Sequence, residues 1–204
     1  MIGDDLMLSI LAGIMISLGC VIYLQVGGIG GALLFSLGLI TILMFNFDLF
    51  TGRAGLLPTG EIGWKKLTNI WFGNLYGCLV VAAALSFTPI GASLAVAAQP
   101  IVATRLANGF LANMILGGCC GILMYVAVGL FNKQNNPIYA AMPVATFILS
   151  GYNHCVADMF YFSITNSSSS VWATIIPTTI GNILGCSTIP MIQNWRKTHF
   201  SWKF

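Results

Sequence analysis

Long apolar runs separated only by short polar loops dominate this chain, and that pattern admits few folds. Charged residues make up 6% of it and hydrophobic residues 57%, whereas a soluble domain carries about 25% charged residues. Such a chain cannot keep an aqueous surface wet, so it reads as an integral membrane protein. Within hydrocarbon every backbone N–H and C=O needs a partner inside the protein, which turns apolar runs of this length into helices. A helix needs about 20 apolar residues to cross a bilayer, and the runs fall approximately at 6–26, 31–56, 67–89, 107–131, 137–163 and 171–193. The expected fold is an all-α polytopic membrane protein with six transmembrane helices, residues 1–204 forming a single transmembrane domain. The stretch after Pro89 reads as a loop.

With six spans, the N-terminus, the 2–3 loop, the 4–5 loop and the C-terminus share one face. That face collects Arg53, Lys65, Lys66, Lys133, Arg196, Lys197 and Lys203, while the opposite face has only Arg105. The excess of Lys and Arg on one side orients the chain with both termini in the cytoplasm, across the cell inner membrane. The net charge of +3 is scattered rather than clustered, so no nucleic-acid partner is expected. Cys20, Cys78, Cys119, Cys120, Cys155 and Cys186 lie in apolar segments without zinc-type spacing. They read as small buried side chains, with no disulfide, no metal site and no cofactor. Met1 to Asp5 is acidic and runs straight into the first apolar segment, unlike a cleavable signal peptide.

Two motifs recur. Gly73-Asn74-Leu75-Tyr76-Gly77-Cys78 in span 3 echoes Gly181-Asn182-Ile183-Leu184-Gly185-Cys186 in span 6, and Asp48-Leu49-Phe50 in span 2 echoes Asp158-Met159-Phe160 in span 5. Matching features three spans apart place the halves in opposite orientations, an inverted 3+3 repeat of the kind seen in transporters and channels. Spans 2 and 5 also carry polar residues mid-run: Asn46, Asp48, Thr51 and Gly52 in one, Ser150, Gly151, Asn153, His154 and Asp158 in the other. Both are expected to be broken helices, because only buried partners or a water-lined cavity can satisfy the backbone groups a break releases. Asp48 and Asp158 are expected to cap the second half-helices, accepting N–H bonds at their positive ends. The Gly-Asn pairs are expected to let helices approach closely, with asparagine bonding across the interface. His154 is the ionisable residue at membrane depth, and such a residue marks a functional site by default.

On these residues the chain resembles the formate/nitrite transporter family, which includes formate, nitrite and hydrosulfide channels. The resemblance runs from about Gly30 to Trp195. It rests on Phe35-Ser36-Leu37-Gly38-Leu39, Asp48-Leu49-Phe50-Thr51, Gly73-Asn74-Leu75-Tyr76-Gly77, the run from Gly151 to Phe160, and Gly181-Asn182-Ile183-Leu184-Gly185. It implies a homopentamer of aquaporin-like protomers, each with its own pore, in which two hydrophobic constrictions bracket a central histidine. By motif position one ring is Phe35, Leu39 and Phe147, and the other is Leu49, Phe50 and Met124. Thr51 matches the threonine of the loop that breaks span 2, and His154 the central histidine.

A pore of this kind has a simple selectivity. A bare anion between apolar rings loses its hydration, a loss worth many kcal/mol, while its neutral conjugate acid crosses far more cheaply. A weak-acid anion that gains a proton on the way therefore passes where a strong-acid anion is refused. The imidazole of His154 is expected to serve as hydrogen-bond donor and proton relay rather than fixed cation, with Thr51 adding a hydroxyl contact. The implied function is a channel for small monovalent weak-acid anions, not an enzyme.

Three positions depart from the family pattern. Asn153 stands where the family has a glutamate before the histidine, Asn136 where its vestibule lysine aligns, and Gly121 at a common asparagine position. Lys133, three residues before Asn136, is the expected substitute cation. Nothing before span 1 resembles the family's N-terminal amphipathic gating helix. The two asparagines admit an alternative cargo on the same architecture, a small nitrogen compound such as ammonia or urea. An intramembrane protease is the reading from another class. Ser93 lies outside the spans with no histidine in span 6 to activate it, and a nucleophile needs its base within hydrogen-bond reach.

Overall fold

Each apolar run is helical, and two of them are split. The structure, a computed structural model, describes residues 2–134, 136–167 and 171–199, with side chains described for 5–134, 136–167 and 171–196. Lys203 and the side chains of Lys197 and His199 lie outside these ranges. Helix α1 spans Ile2–Val26 and α2 Gly28–Met44; after a non-helical turn α3 covers Phe50–Ala54. Next come α4 (Trp64–Ser86), α5 (Gly91–Ala107) and α6 (Gly109–Gln134). Then α7 (Pro137–Leu149) and α8 (Cys155–Ile164) flank a second break, and α9 runs Val171–His199. Among the described residues, α1, α4, α6 and α9 are long and apolar enough to cross a membrane alone, while α2, α7 and α8 are shorter apolar helices. At about 1.5 Å per residue α7 and α8 are each too short for a core of about 30 Å. In sequence, α7 and α8 together fill the fifth apolar run.

The segment after Pro89 is a helix, not the loop read from sequence. Its 17 residues contain Pro100, Gln99, Thr104 and Arg105, which lower its hydropathy and mask the period. Packing decides it: Gly91, Leu94, Ala98, Val102 and Arg105 form one buried face, at the three- and four-residue spacing of a helix stripe. Gln25 Nε2 donates to Ser93 Oγ at 3.5 Å, tying the start of α5 to the end of α1. At the other end of α1, Lys66 pairs with Asp5 at 3.3 Å, joining the starts of α1 and α4 on one face.

Glycine sets the distance between the long helices. A Cβ on Gly77 would fall on the carbonyl oxygen of Ile10, and one on Gly181 on that of Met114. Thus α4 lies backbone-to-backbone on α1, and α9 on α6. The neighbouring asparagine is thereby pushed into the partner backbone. Asn74 Nδ2 donates to Ser9 O at 2.7 Å and to Asp48 O at 2.9 Å, while its Oδ1 accepts from Phe50 N–H at 2.8 Å. Asn182 makes the same three bonds: Nδ2 to Gly117 O at 2.8 Å and Asn153 O at 2.9 Å, with Oδ1 accepting from Cys155 N–H at 2.9 Å. The first N–H of α3 and of α8 is therefore satisfied by an asparagine of another helix. The cysteines that end the two motifs bond in parallel fashion, Cys78 Sγ to Val156 O at 3.4 Å and Cys186 Sγ to Thr51 O at 3.2 Å.

These bonds correct two expectations. Asp48 does not cap α3, whose N-cap is Leu49 without a side-chain bond; its carboxylate instead accepts from Arg53 Nε at 2.7 Å. Asp158 does not cap α8 either, because it sits a full turn inside that helix. The cap is His154, whose Nδ1 accepts from Ala157 N–H at 3.2 Å. Bonding also matches Asp48 with Asn153 and Phe50 with Cys155. The Asp-x-Phe echo between residues 48–50 and 158–160 is thus out of register. What the two breaks share is a backbone held by asparagine, and that leaves no trace in the residues at the break itself.

Candidate functional site

Two cavities approach the middle of the molecule. The larger, about 270 Å³, is lined by residues including Tyr23, Thr104, Arg105, Phe147, Gly151, Tyr152, His154 and Asp158. The smaller, about 80 Å³, is lined by Leu39, Ile42, Leu49, Gly52, Arg53, Val128 and Asn132 among others. Arg105 is in the lining of the first and Arg53 in that of the second. Phe35 meets Phe147 edge-on with ring centroids 6.1 Å apart, and Phe147 stacks on the His154 ring at 5.6 Å. Phe35, Leu39, Leu49, Phe50, Met124 and Phe147 are all buried. Leu39 lines the Arg53-side cavity with Leu49, whereas Phe147 lines the other. The ring drawn from motif position is therefore shared between two compartments.

His154 ends the second break and begins α8. It is only 2% exposed, but it lines the larger cavity. Its bonds fix the tautomer. Because Nδ1 accepts the Ala157 N–H, the ring proton resides on Nε2, which lies 2.9 Å from Thr51 Oγ1. The Nε2–H donates to the Thr51 hydroxyl, whose own proton stays available to a further acceptor. Thr51 in α3 and His154 before α8 come from the two breaks, so the asparagine bonds described above place both halves of this contact.

Arg105 is the residue that sequence reasoning missed. It is 9% exposed and holds the second break from outside. Its Nη1 donates to Gly151 O at 2.9 Å, Nη2 to Tyr152 O at 3.3 Å and Nε to Asp158 Oδ1 at 3.3 Å. Gly151 adopts φ +70° there, which an L side chain would strain. The signal was available: Arg105 is the one basic residue that the sequence pattern sets apart from the other seven. Asn113 in α6 was missed as well. Its Nδ2 donates to Arg105 O at 2.9 Å and its Oδ1 accepts from Asn153 Nδ2 at 2.8 Å. The position read as a missing asparagine, Gly121, cannot hold one in this packing, since a Cβ there would sit 2.5 Å from Asn182 O. Asn136 is an exposed cap whose Oδ1 accepts from Ile138 N–H at 3.0 Å. Lys133, exposed in the last turn of α6, lines neither cavity. Asn153 lines neither cavity either; it is fully buried and also donates to Thr178 Oγ1 at 3.4 Å.

The formate/nitrite transporter family matches this sequence over residues 2–196. The chain belongs to that family. Among its relatives, the formate channel FocA of Escherichia coli (strain K12) is 24% identical, covering 92% of this chain and 84% of that protein. FocA of Haemophilus influenzae is 28% identical over 83% of this chain and 74% of its own. The nitrite transporter NirC of E. coli (strain K12) is 26% identical, with 93% and 82% covered. Among solved structures, a pentameric formate channel with formate bound superposes with a TM-score of 0.79 at 27% identity, covering 97% of both chains. The fold also matches an FNT family ion channel with a TM-score of 0.82 at 20% identity, over 95% of this chain and 90% of that one. As a member of the formate/nitrite transporter family the chain sits among channels and transporters rather than enzymes.

Proposed function

We propose that this protein is an inner-membrane channel for small monovalent weak-acid anions of the formate, nitrite and hydrosulfide class. The observation that carries the reading is the His154–Thr51 contact: His154 lines the larger cavity and stacks on Phe147, Phe147 meets Phe35, and Leu39 and Leu49 line the smaller cavity. An anion entering from either cavity meets apolar side chains where it loses water, and then a single donor pair. Desolvation of a charge in such a place is prohibitive unless the charge is neutralised, so the histidine neighbourhood passes the protonated acid and rejects a permanent anion. His154 presents an Nε2–H donor and relays a proton; Thr51 positions that ring and offers its own hydroxyl. Arg105, in the wall of the larger cavity, takes the anion-attracting role assigned from sequence to Lys133.

The same reading includes the finer architecture. We infer six membrane crossings arranged as an inverted 3+3 repeat, with α2–α3 and α7–α8 as the broken crossings, in one domain. The parallel bond sets of Asn74 and Asn182 support the repeat. The likeness to a pentameric formate channel supports a homopentamer with a pore in each protomer. The preponderance of Lys and Arg on the Arg53 face supports cytoplasmic termini. The ammonia or urea reading rests on Asn136 and Asn153, and neither residue lines the cavity that holds His154 or the smaller one beside Leu49.

The test is a solute panel on proteoliposomes followed by stopped-flow light scattering. Formate, nitrite and hydrosulfide gradients are expected to relax faster than in empty vesicles, with ammonium and urea unchanged. Relaxation with urea or ammonium alone would replace the anion reading with the nitrogen one.

A further inference from the structure

The larger cavity holds a charge pair whose bonding is incomplete. Asp158 is buried in α8, and its Oδ1 accepts from Arg105 Nε at 3.3 Å. Its Oδ2 is buried and meets no donor within hydrogen-bond reach. A buried carboxylate oxygen without a donor is unfavourable, and that oxygen is where a proton would reside. Arg105 gives only Nε to the carboxylate; Nη1 and Nη2 each donate one N–H to a backbone carbonyl, Gly151 O and Tyr152 O, and each keeps a second N–H for an incoming acceptor. Both residues line the same cavity as His154, and Asp158 lies four residues, one helical turn, beyond it.

Among the described residues, the titratable groups beside Asp158 are Cys20 and Tyr23 from α1, Cys120 from α6, and His154, Cys155 and Tyr161 near or in α8 itself, while Cys78 of α4 bonds the α8 backbone and Cys186 of α9 lies beside Cys120 and Cys155. Arg105 of α5 is the one cation among them. With Asp158 ionised the pair is neutral as a whole, and an anion entering the cavity meets a carboxylate as well as a guanidinium. With a proton on Oδ2 the guanidinium is uncompensated in a cavity wide enough for a three- or four-atom anion.

We propose that Arg105 and Asp158 form a proton-linked anion-binding station in the larger cavity, taking one small monovalent carboxylate or nitrite-like anion together with one proton. Asp158 receives the proton from the cavity and Arg105 receives the anion, so the site fills with a net-neutral load one turn away from His154. Like charges in a confined, poorly solvated space exclude one another, which couples the two events. The proposal rests on the anion-channel reading above. It adds that the proton enters on a carboxylate belonging to α8, and that anion affinity on this face falls as pH rises.

The experiment uses purified full-length protein with formate as the probe, in weakly buffered solution with a pH indicator. Saturable formate binding is expected to take up about one proton per anion where Asp158 is ionised in the free protein, with apparent Kd rising by up to about tenfold per pH unit there. In Asp158→Asn, which preserves shape and an acceptor for Arg105 Nε, binding is expected to persist with a flat pH profile and no proton uptake. Arg105→Lys is expected to keep proton-linked binding with a higher Kd. Formate binding without proton uptake in the wild type would overturn the station, as would an unchanged pH slope in Asp158→Asn. Formate flux in proteoliposomes separates the two levels. Normal flux with no linkage at Asp158 rejects only the station, and linked binding without flux rejects only the channel.

Discussion

Asn74 and Asn182 each satisfy three backbone groups that a broken helix would otherwise leave without partners. Removing either side chain orphans those groups in the interior, where each unsatisfied group costs about 1–3 kcal/mol. Asn182→Ala is therefore expected to lower stability by several kcal/mol and depress the melting temperature in detergent. Asn182→Asp, held neutral at this depth as the protonated acid, is expected to keep the acceptor for Cys155 N–H and one of the two donated bonds, and to fall between Asn182→Ala and wild type. A melting curve unchanged from wild type in Asn182→Ala would contradict the role given to it. At the histidine, Thr51→Val removes the acceptor for the Nε2–H at nearly constant volume. One buried hydrogen bond is worth about 1 kcal/mol, so formate flux is expected to fall severalfold, with Thr51→Ser close to wild type. The site's residues were partly legible in the chain. His154 and Thr51 stood out because polar groups are costly at membrane depth. Arg105 and Asn113 did not, because an arginine near a span end and an asparagine in an apolar run each have an ordinary explanation until their partners are known.

At the scale of elements, the apolar runs coincide with α1, α2–α3, α4, α6, α7–α8 and α9 to within about six residues at their ends, and the breaks between α2 and α3 and between α7 and α8 lie inside the two runs that carry polar residues. Helix α5 was illegible because its identity comes from a buried face against α1 and α8, not from hydropathy. The caps were misassigned for a related reason: an aspartate near a break satisfies the local rule for an N-cap, and the winning acceptors came from other helices. Close helix contact leads to a direct test. Gly181→Ala would place a methyl on the Met114 carbonyl oxygen, and overpacking of this kind costs about 1–3 kcal/mol. Loss of thermal stability is expected. Gly129→Ala in the same α6–α9 half, where a Cβ meets nothing within 4 Å, should melt like wild type. Equal stability of the two variants would mean that α6 and α9 are not in backbone contact.

For the whole molecule, the exposed surface is rich in large apolar side chains, including Leu37, Phe72, Ile115, Leu184 and Met191. In a membrane these serve against lipid or against another copy. We expect native mass spectrometry from mild detergent to give five protomers. A monomer with full formate flux would show that the pore needs no neighbour and that the pentamer is dispensable. Selectivity by neutralisation would depend on apolar walls on both sides of one donor pair rather than on any single contact. Nitrite and nitrate provide the sharpest comparison: nearly equal in size and charge, they differ in that only nitrite is the anion of a weak acid. With the protein in liposomes and equal inward gradients, nitrite entry is expected to rise as external pH falls, while nitrate entry stays at the level of protein-free vesicles at every pH. Nitrate entry comparable to that of nitrite would contradict permeation by neutralisation at His154.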